Sequence, residues 1–298
     1  MTPPSDPQRR PDGVMVGSDS PTAPTVSVGA TERSLRDVCR AALWLALPPT
    51  VWILFGSRLA SYGTDSAHAY WNVWRTGPYA LPPGSPDAFN YSPAFAQLIY
   101  PLTLLPWPVF LTLWSVLLMA ATVWLLWPLA PRWRWLLLAY VAPPVLLIGN
   151  IEVFLAVAAV VGLRLPSAWA FPLLTKITPG LGPVWFAVRR EWRQAAVAVL
   201  ATALVAAASF VISPGLWVAW WEFVVGAPTP PTQAGLPPLG LRLTLALAVI
   251  IWGALKGRRS AVPVAMMLAM PLWSSGVLAL LTAVPRLRQK PEVNLADR

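Results

Sequence analysis

From about Ala41 onward the chain is built of apolar runs broken by Pro, Gly and basic clusters rather than by alternating polar residues. Stretches such as 109–127 and 195–212 are continuous and rich in Leu and Ala. Unbroken runs of this kind predict helices, because a membrane β-barrel needs short segments of alternating polarity. Reading runs against breakers gives about ten hydrophobic segments, at 41–57, 107–127, 133–148, 151–163, 167–178, 180–188, 195–212, 238–255, 260–273 and 275–285. The expected fold is all-α, a polytopic transmembrane helical bundle in which every backbone polar group is satisfied internally. Several segments fall short of the roughly 20 residues that a full crossing needs. The pair around Thr178-Pro179-Gly180 is the shortest, which predicts broken helices or a hairpin lining a cavity.

The first 37 residues are dominated by Pro, Ser, Thr and Asp and offer too little apolar surface to fold, so a disordered cytoplasmic tail is expected there. The first apolar run lies far behind this tail and contains Pro48 and Pro49, which favours a retained signal anchor over a cleaved signal peptide. A membrane domain is then expected over 38–286, with outer loops at 58–106 and 213–237 and a cytoplasmic tail at 287–298. Placing both termini inside puts most Lys and Arg in cytoplasmic loops and leaves only Arg58, Arg75, Lys176 and Arg242 outside. That arrangement describes a multi-pass plasma-membrane protein. It also requires the stretch 93–106 to lie at the outer surface rather than cross.

Composition agrees. The 298 residues are 56% hydrophobic and 11% charged, with 18 Trp, and the mean hydropathy is +0.58, too apolar for a soluble domain of this size. In a soluble protein a net charge of +10 would suggest nucleic acid, but here the basic residues flank apolar runs as topology signals, so no nucleic-acid partner is expected. Membrane lipid is the partner that composition implies. Cys39 is the sole cysteine, which excludes an intramolecular disulfide and a cysteine-based metal cage. A single histidine cannot build a typical zinc site, and no phosphate-cradling glycine loop occurs. None of these patterns assigns a metal or cofactor.

With this topology the acids outside the tails sort by side. Glu191 is inside, whereas Asp65, Asp87, Glu152 and Glu222 face out, so chemistry belongs on the outer face. Asp65 and His68 stand three apart in Thr64-Asp65-Ser66-Ala67-His68-Ala69-Tyr70-Trp71, on one face of a helix. Asp65 is read either as a general base for a hydroxyl or as a helix N-cap with interfacial aromatics behind it. Asp87 lies in a Pro- and Gly-rich turn and reads as structural. Asn90 fits a glycosylation sequon. Asn150 and Glu152 interrupt two apolar runs, either capping the next helix or projecting into a polar cavity. Glu222 sits in an aromatic segment that resembles an interfacial helix. Lys176 is an ionisable residue in an apolar segment, a candidate for an anion or carboxylate partner, or else a snorkelling side chain. Arg58 and Arg242 flank spans, with phosphate contact as the lesser alternative to anchoring.

These features, in order, resemble glycosyltransferase family 87, the polyprenyl-phosphate-mannose-dependent mannosyltransferases of GT-C architecture. The resemblance rests on Asp65 with Tyr70; Phe89-Asn90-Tyr91-Ser92-Pro93 leading to Pro101-Leu102-Thr103-Leu104-Leu105-Pro106; Trp114; Gly149-Asn150; and Lys176-Ile177-Thr178-Pro179 ahead of Arg189-Arg190-Glu191-Trp192-Arg193. It implies that Asp65 is the catalytic base and that Lys176 meets the donor phosphate, with Arg242 a second phosphate candidate from its place beside a span. His68, Tyr70, Tyr91, Asn150 and Glu152 would contact substrate. The implied donor is a polyprenyl-phosphate sugar, and the implied acceptor an envelope glycolipid or glycan. The chain departs from the family at Gly149-Asn150-Ile151-Glu152, where glycine-glutamine is usual. It departs again at Met270-Pro271-Leu272-Trp273-Ser274-Ser275-Gly276, where a histidine is usual. Those departures motivate a second reading as a non-enzymatic membrane scaffold or accessory protein. A small-solute transporter is a third, without an inverted repeat to support it.

Overall fold

The computed structural model describes residues 28–55, 63, 65–83, 85–226 and 236–289. Arg58, Thr64, the tail before residue 28, part of the second outer loop and the last residues of the C-terminal tail lie outside the described residues. The chain divides into two compact units, Met1–Ala42 and Leu43–Arg298. The first contains the start of helix α1, which runs Val28–Phe55 and so takes in the last residues of the stretch expected to be unfolded. Helix-favouring Ala30, Glu32, Leu35 and Arg36 fall in that stretch, without the prolines that crowd the residues before it.

The second unit holds everything that bears on function. After α1 come α2 (Ser66–Thr76), α3 (Pro93–Thr103), α4 (Trp107–Leu126), α5 (Pro131–Ile148), α6 (Glu152–Gly162), α7 (Ala170–Thr175), α8 (Gly182–Val188), α9 (Trp192–Ile212), α10 (Pro214–Gly226), α11 (Leu239–Leu255), α12 (Ala261–Leu268) and α13 (Val284–Arg288). Single-turn to three-turn 3-10 segments precede α7 at Pro166–Trp169 and α13 at Ser275–Ala283. No strand occurs among the described residues. Prolines open α3, α4, α5 and α8. The missing N–H costs nothing in a first turn, and φ is already helical.

Among the described residues two helices are long and apolar enough to cross a membrane, α4 and α9; α5 and α6 make a third if taken together, although they meet at a 118° bend. The expected segments coincide, where described, with helical stretches, and most of these are shorter than a single straight crossing. Apolar composition alone does not separate a lipid-facing helix from one buried in protein. α12, eight residues long, buries Val262, Ala265 and Met266 in the interior. α9 instead turns Val199, Leu204 and Val211 outward, and α10 buries no residue. An outward apolar face on this scale needs an apolar solvent, so the protein is a membrane protein.

The stretch expected at the surface is α3. It buries Phe95, Ala96 and Ile99 and exposes Leu98 and Tyr100. α2 lies against it: Trp74 Nε1 donates to the Ala96 carbonyl at 3.1 Å and Arg75 to the Thr103 carbonyl at 2.7 Å. The aromatics expected to anchor α2 in the interface are thus partly spent on docking it to its neighbour.

Candidate functional site

The site begins where α5 ends. Gly149 terminates that helix at φ 67, the left-handed region that suits glycine, and its N–H donates to Val145. A Cβ at Gly149 would lie 2.5 Å from the Ala67 Cβ, so α2 closes directly on this turn. The Gly63 N–H donates to the Leu147 carbonyl at 3.0 Å, and the Trp114 indole donates to the Gly149 carbonyl at 2.7 Å. These bonds bring the start of α2 and the α5–α6 corner together.

Three side chains meet at this corner. Tyr70 Oη lies 2.8 Å from Tyr91 Oη and 2.7 Å from Asn150 Oδ1, and Tyr91 Oη is 3.0 Å from the same Asn150 oxygen. Two hydroxyl protons serve these three contacts, and the Ile151 N–H adds a bond to Asn150 Oδ1 at 2.7 Å. Burial pushes both phenols up, with Glu152 raising each further; both stay neutral donors at any physiological pH. The triangle ties α2, the loop before α3 and the start of α6 into one wall.

Beside it lies an ion pair. Glu152, in the first turn of α6, and Lys176, at the C-cap of α7, meet with Nζ 2.8 Å from Oε1; their side chains are 3% and 15% exposed. The ammonium lies 5.8 Å from the Tyr91 ring centroid. Ser92 Oγ donates to the Leu174 carbonyl, tying α3 to α7. Lys176 is therefore turned inward onto a carboxylate, not outward along the snorkelling path.

These groups line a cleft of about 410 Å³ that also takes in Asp65, Asp87 and Asn90. Its far side is formed by Trp220 and Val224 of α10 and by Pro271, Leu272 and Ser274 after α12. Asp65 stands at the N-cap position of α2 without a side-chain cap bond, and Thr64, which could equally open the helix, lies outside the described residues. Asp65 is exposed and lines the cleft. Among the described lining residues Asp65, Asp87 and Glu152 set three carboxylates against the single ammonium of Lys176.

Six candidates from the sequence thus share one cleft: Asp65, Tyr70, Tyr91, Asn150, Glu152 and Lys176. Two do not line it. His68 points to Asp87, with Nδ1 2.8 Å from Oδ2, and packs against Trp71 and Trp107 at ring distances of 5.5 and 5.0 Å. Arg242, 5% exposed, donates to the carbonyls of Met270 at 2.6 Å, Pro271 at 3.1 Å and Pro237 at 3.2 Å. It holds the segment that carries Pro271 and Leu272 rather than facing the cleft itself. Glu222 is exposed on α10.

The sequence reading missed Asp87, Trp220 and Ser274 as cleft residues. A signal existed for the last: the segment 270–276 is where the chain departs from the family pattern. Among the described residues no cluster of three or more His, Cys, Asp or Glu side chains is suited to a metal ion.

A second, apolar groove of about 550 Å³ runs between α3, α7 and α9, lined by residues such as Phe95, Leu98, Phe171, Leu174 and Val205. Thr175 lines both cavities. At 7% exposed, it spends its hydroxyl on the Phe171 carbonyl.

Compared with known proteins, no curated protein and no solved structure matches the chain. The family model for glycosyltransferase family 87 matches residues 89–297. That range includes Tyr91, Asn150, Glu152, Lys176 and the 270–276 segment, and it begins after Asp65, His68, Tyr70 and Asp87. With well over half its length matched, and with the matched cleft residues converging in space, the chain belongs to glycosyltransferase family 87.

Proposed function

We propose that this membrane glycosyltransferase moves a hexose, with mannose the first candidate, from a polyprenyl-phosphate carrier to an envelope glycolipid or glycan at the outer face of the plasma membrane. The observation that carries this reading is the junction at Thr175 between a charged cleft and an apolar groove. A lipid-linked sugar has the same division, with a polar head and an apolar tail. The larger span count read from the sequence, and the orientation with both termini inside, belong to the same proposal.

In this reading Asp65 takes the proton of the acceptor hydroxyl as its oxygen attacks C1 of the donor sugar. The C1–O bond to phosphate breaks, and the phosphate leaves on its carrier carrying the bonding pair. An exposed acid at the N-cap position of α2, on the wall of the cleft, is placed to serve as that base. Lys176 offsets the charge on the departing phosphate. Its ammonium has three N–H donors, of which Glu152 occupies one. A phosphate approaching Lys176 meets a cation already positioned and desolvated, although it must also tolerate the neighbouring carboxylate. Tyr70, Tyr91 and Asn150 present neutral polar groups suited to sugar hydroxyls.

A scaffold without activity has no need for Asp65 and Lys176 to converge, and both line one cleft. The test is transfer of labelled mannose from polyprenyl-phosphate-mannose in membranes containing the protein, beside membranes carrying Asp65→Asn. Loss of transfer by at least a hundredfold in the variant is expected from removal of a general base, about 10²–10⁴-fold. Undiminished transfer by Asp65→Asn would remove that residue from the role.

A further inference from the structure

Asp87 is the carboxylate among the described cleft residues that the proposed mechanism leaves unused. It sits at φ 63, a left-handed conformation that non-glycine residues adopt rarely and that Asp and Asn tolerate best. Its side chain is divided in purpose. Oδ2 is held by His68 Nδ1 at 2.8 Å, whereas Oδ1 is buried and finds no hydrogen-bond partner among the described residues. His68 is fixed in turn by the rings of Trp71 and Trp107. The side chain as a whole is 28% exposed and borders the cleft, so a carboxylate bonded on one oxygen through a packed imidazole and unsatisfied on the other accepts a hydrogen bond from a ligand hydroxyl once a small rotation uncovers Oδ1.

The surroundings select the donor. The cleft already carries the carboxylates of Asp65 and Glu152, and its one ammonium is engaged by Glu152. An anion at Asp87 would be repelled, and no metal-binding cluster is present among the described residues. A neutral polyol supplies hydroxyl donors without charge. We infer that Asp87, oriented by His68, is a binding residue for a hydroxyl of the sugar that occupies the cleft, and that His68 is its positioning residue. This rests on the reading of the cleft as a glycosyl-transfer site and adds to it a specificity determinant on the loop before α3.

The chain contains one histidine, so the imidazole resonances of the intact protein in detergent micelles, labelled only at histidine and purified without a histidine tag, report on His68 alone. Methyl α-D-mannoside is titrated against the wild type and against Asp87→Asn, which keeps the shape and suits the left-handed backbone. The wild-type resonance is expected to move saturably, with the movement abolished in Asp87→Asn. In transfer assays Asp87→Asn is expected to raise KM for the sugar substrate about tenfold to a hundredfold, with kcat changed much less, the range for a lost hydrogen bond to a charged group. His68→Asn, which can still donate to Asp87, is expected to retain more of the wild-type KM than His68→Leu.

A wild-type imidazole signal unmoved up to the solubility limit of the mannoside overturns the inference, as does an equal response in Asp87→Asn. Wild-type membranes that transfer no sugar would instead overturn the proposed reaction. In that case a saturable response abolished by Asp87→Asn would still establish the hydroxyl site.

Discussion

Lys176 Nζ stands 2.8 Å from Glu152 Oε1, joining the C-terminus of α7 to the first turn of α6 across the floor of the cleft. The two ions come from the two ends of the α6–α7 stretch and are mostly removed from solvent. Each is tolerable there only because the other is present.

Breaking this pair on one side leaves an uncompensated charge in a poorly solvated place. Lys176→Met and Glu152→Gln are each expected to lower unfolding free energy by about 3–5 kcal/mol, and the double variant to recover most of it. Thermal unfolding in detergent reads the effect. Single variants as stable as the wild type would mean that the ions are solvated independently.

The phenols give a pH dependence with a definite sign. The folded-state pKa values of Tyr70 and Tyr91 are raised by burial, so the folded protein holds these protons when the unfolded chain has released them. Their contribution is intact below the ordinary tyrosine value of about 10 and is lost as pH climbs above it toward the folded values. Stability is expected to fall with rising alkalinity from that point, and less steeply in Tyr91→Phe. A profile identical in wild type and variant would separate Tyr91 from the alkaline transition.

Gly149 is constrained twice, by φ 67 and by the 2.5 Å approach of a Cβ to Ala67. Gly149→Ala is expected to cost about 2 kcal/mol or more, from the left-handed backbone together with the displacement of α2. A melting temperature equal to that of the wild type would show that α2 can move aside freely.

Arg242 separates two roles by experiment. As a clamp on the Met270 and Pro271 carbonyls, it should not be replaceable by lysine, whose single ammonium cannot reproduce a planar fork. Arg242→Lys is expected to destabilise the protein by about 1–3 kcal/mol and to speed proteolysis near residue 271. Unchanged stability combined with a raised KM for the lipid-phosphate donor would instead favour the phosphate contact expected from the sequence.

What could be read from the sequence was the set of polar interruptions. Asp65, Asn150, Glu152 and Lys176 stand out because each breaks or borders an apolar run, and all of them reach the cleft. His68 stands out as the sole histidine on the helical face of Asp65, and Arg242 as a cation beside a span, but their partners are Asp87 nineteen residues away and backbone carbonyls, which side-chain patterns do not announce. Asp87 was hidden by its turn-rich setting, where an acid ordinarily meets water. Composition alone does not separate a crossing from an interior helix, because α12 is as apolar in sequence as α4 or α9, yet packs inside the protein.

Thr175, common to the cleft and the groove, sets the unit in which the proposed donor must be counted. A molecule whose head lies on one side of this residue and whose tail lies on the other enters from the plane of the membrane. Its availability is then a mole fraction among neighbouring lipids, not a molarity in water. Adding detergent at fixed total donor dilutes it in that plane, so apparent affinity should track the ratio of donor to surfactant and be indifferent to sample volume.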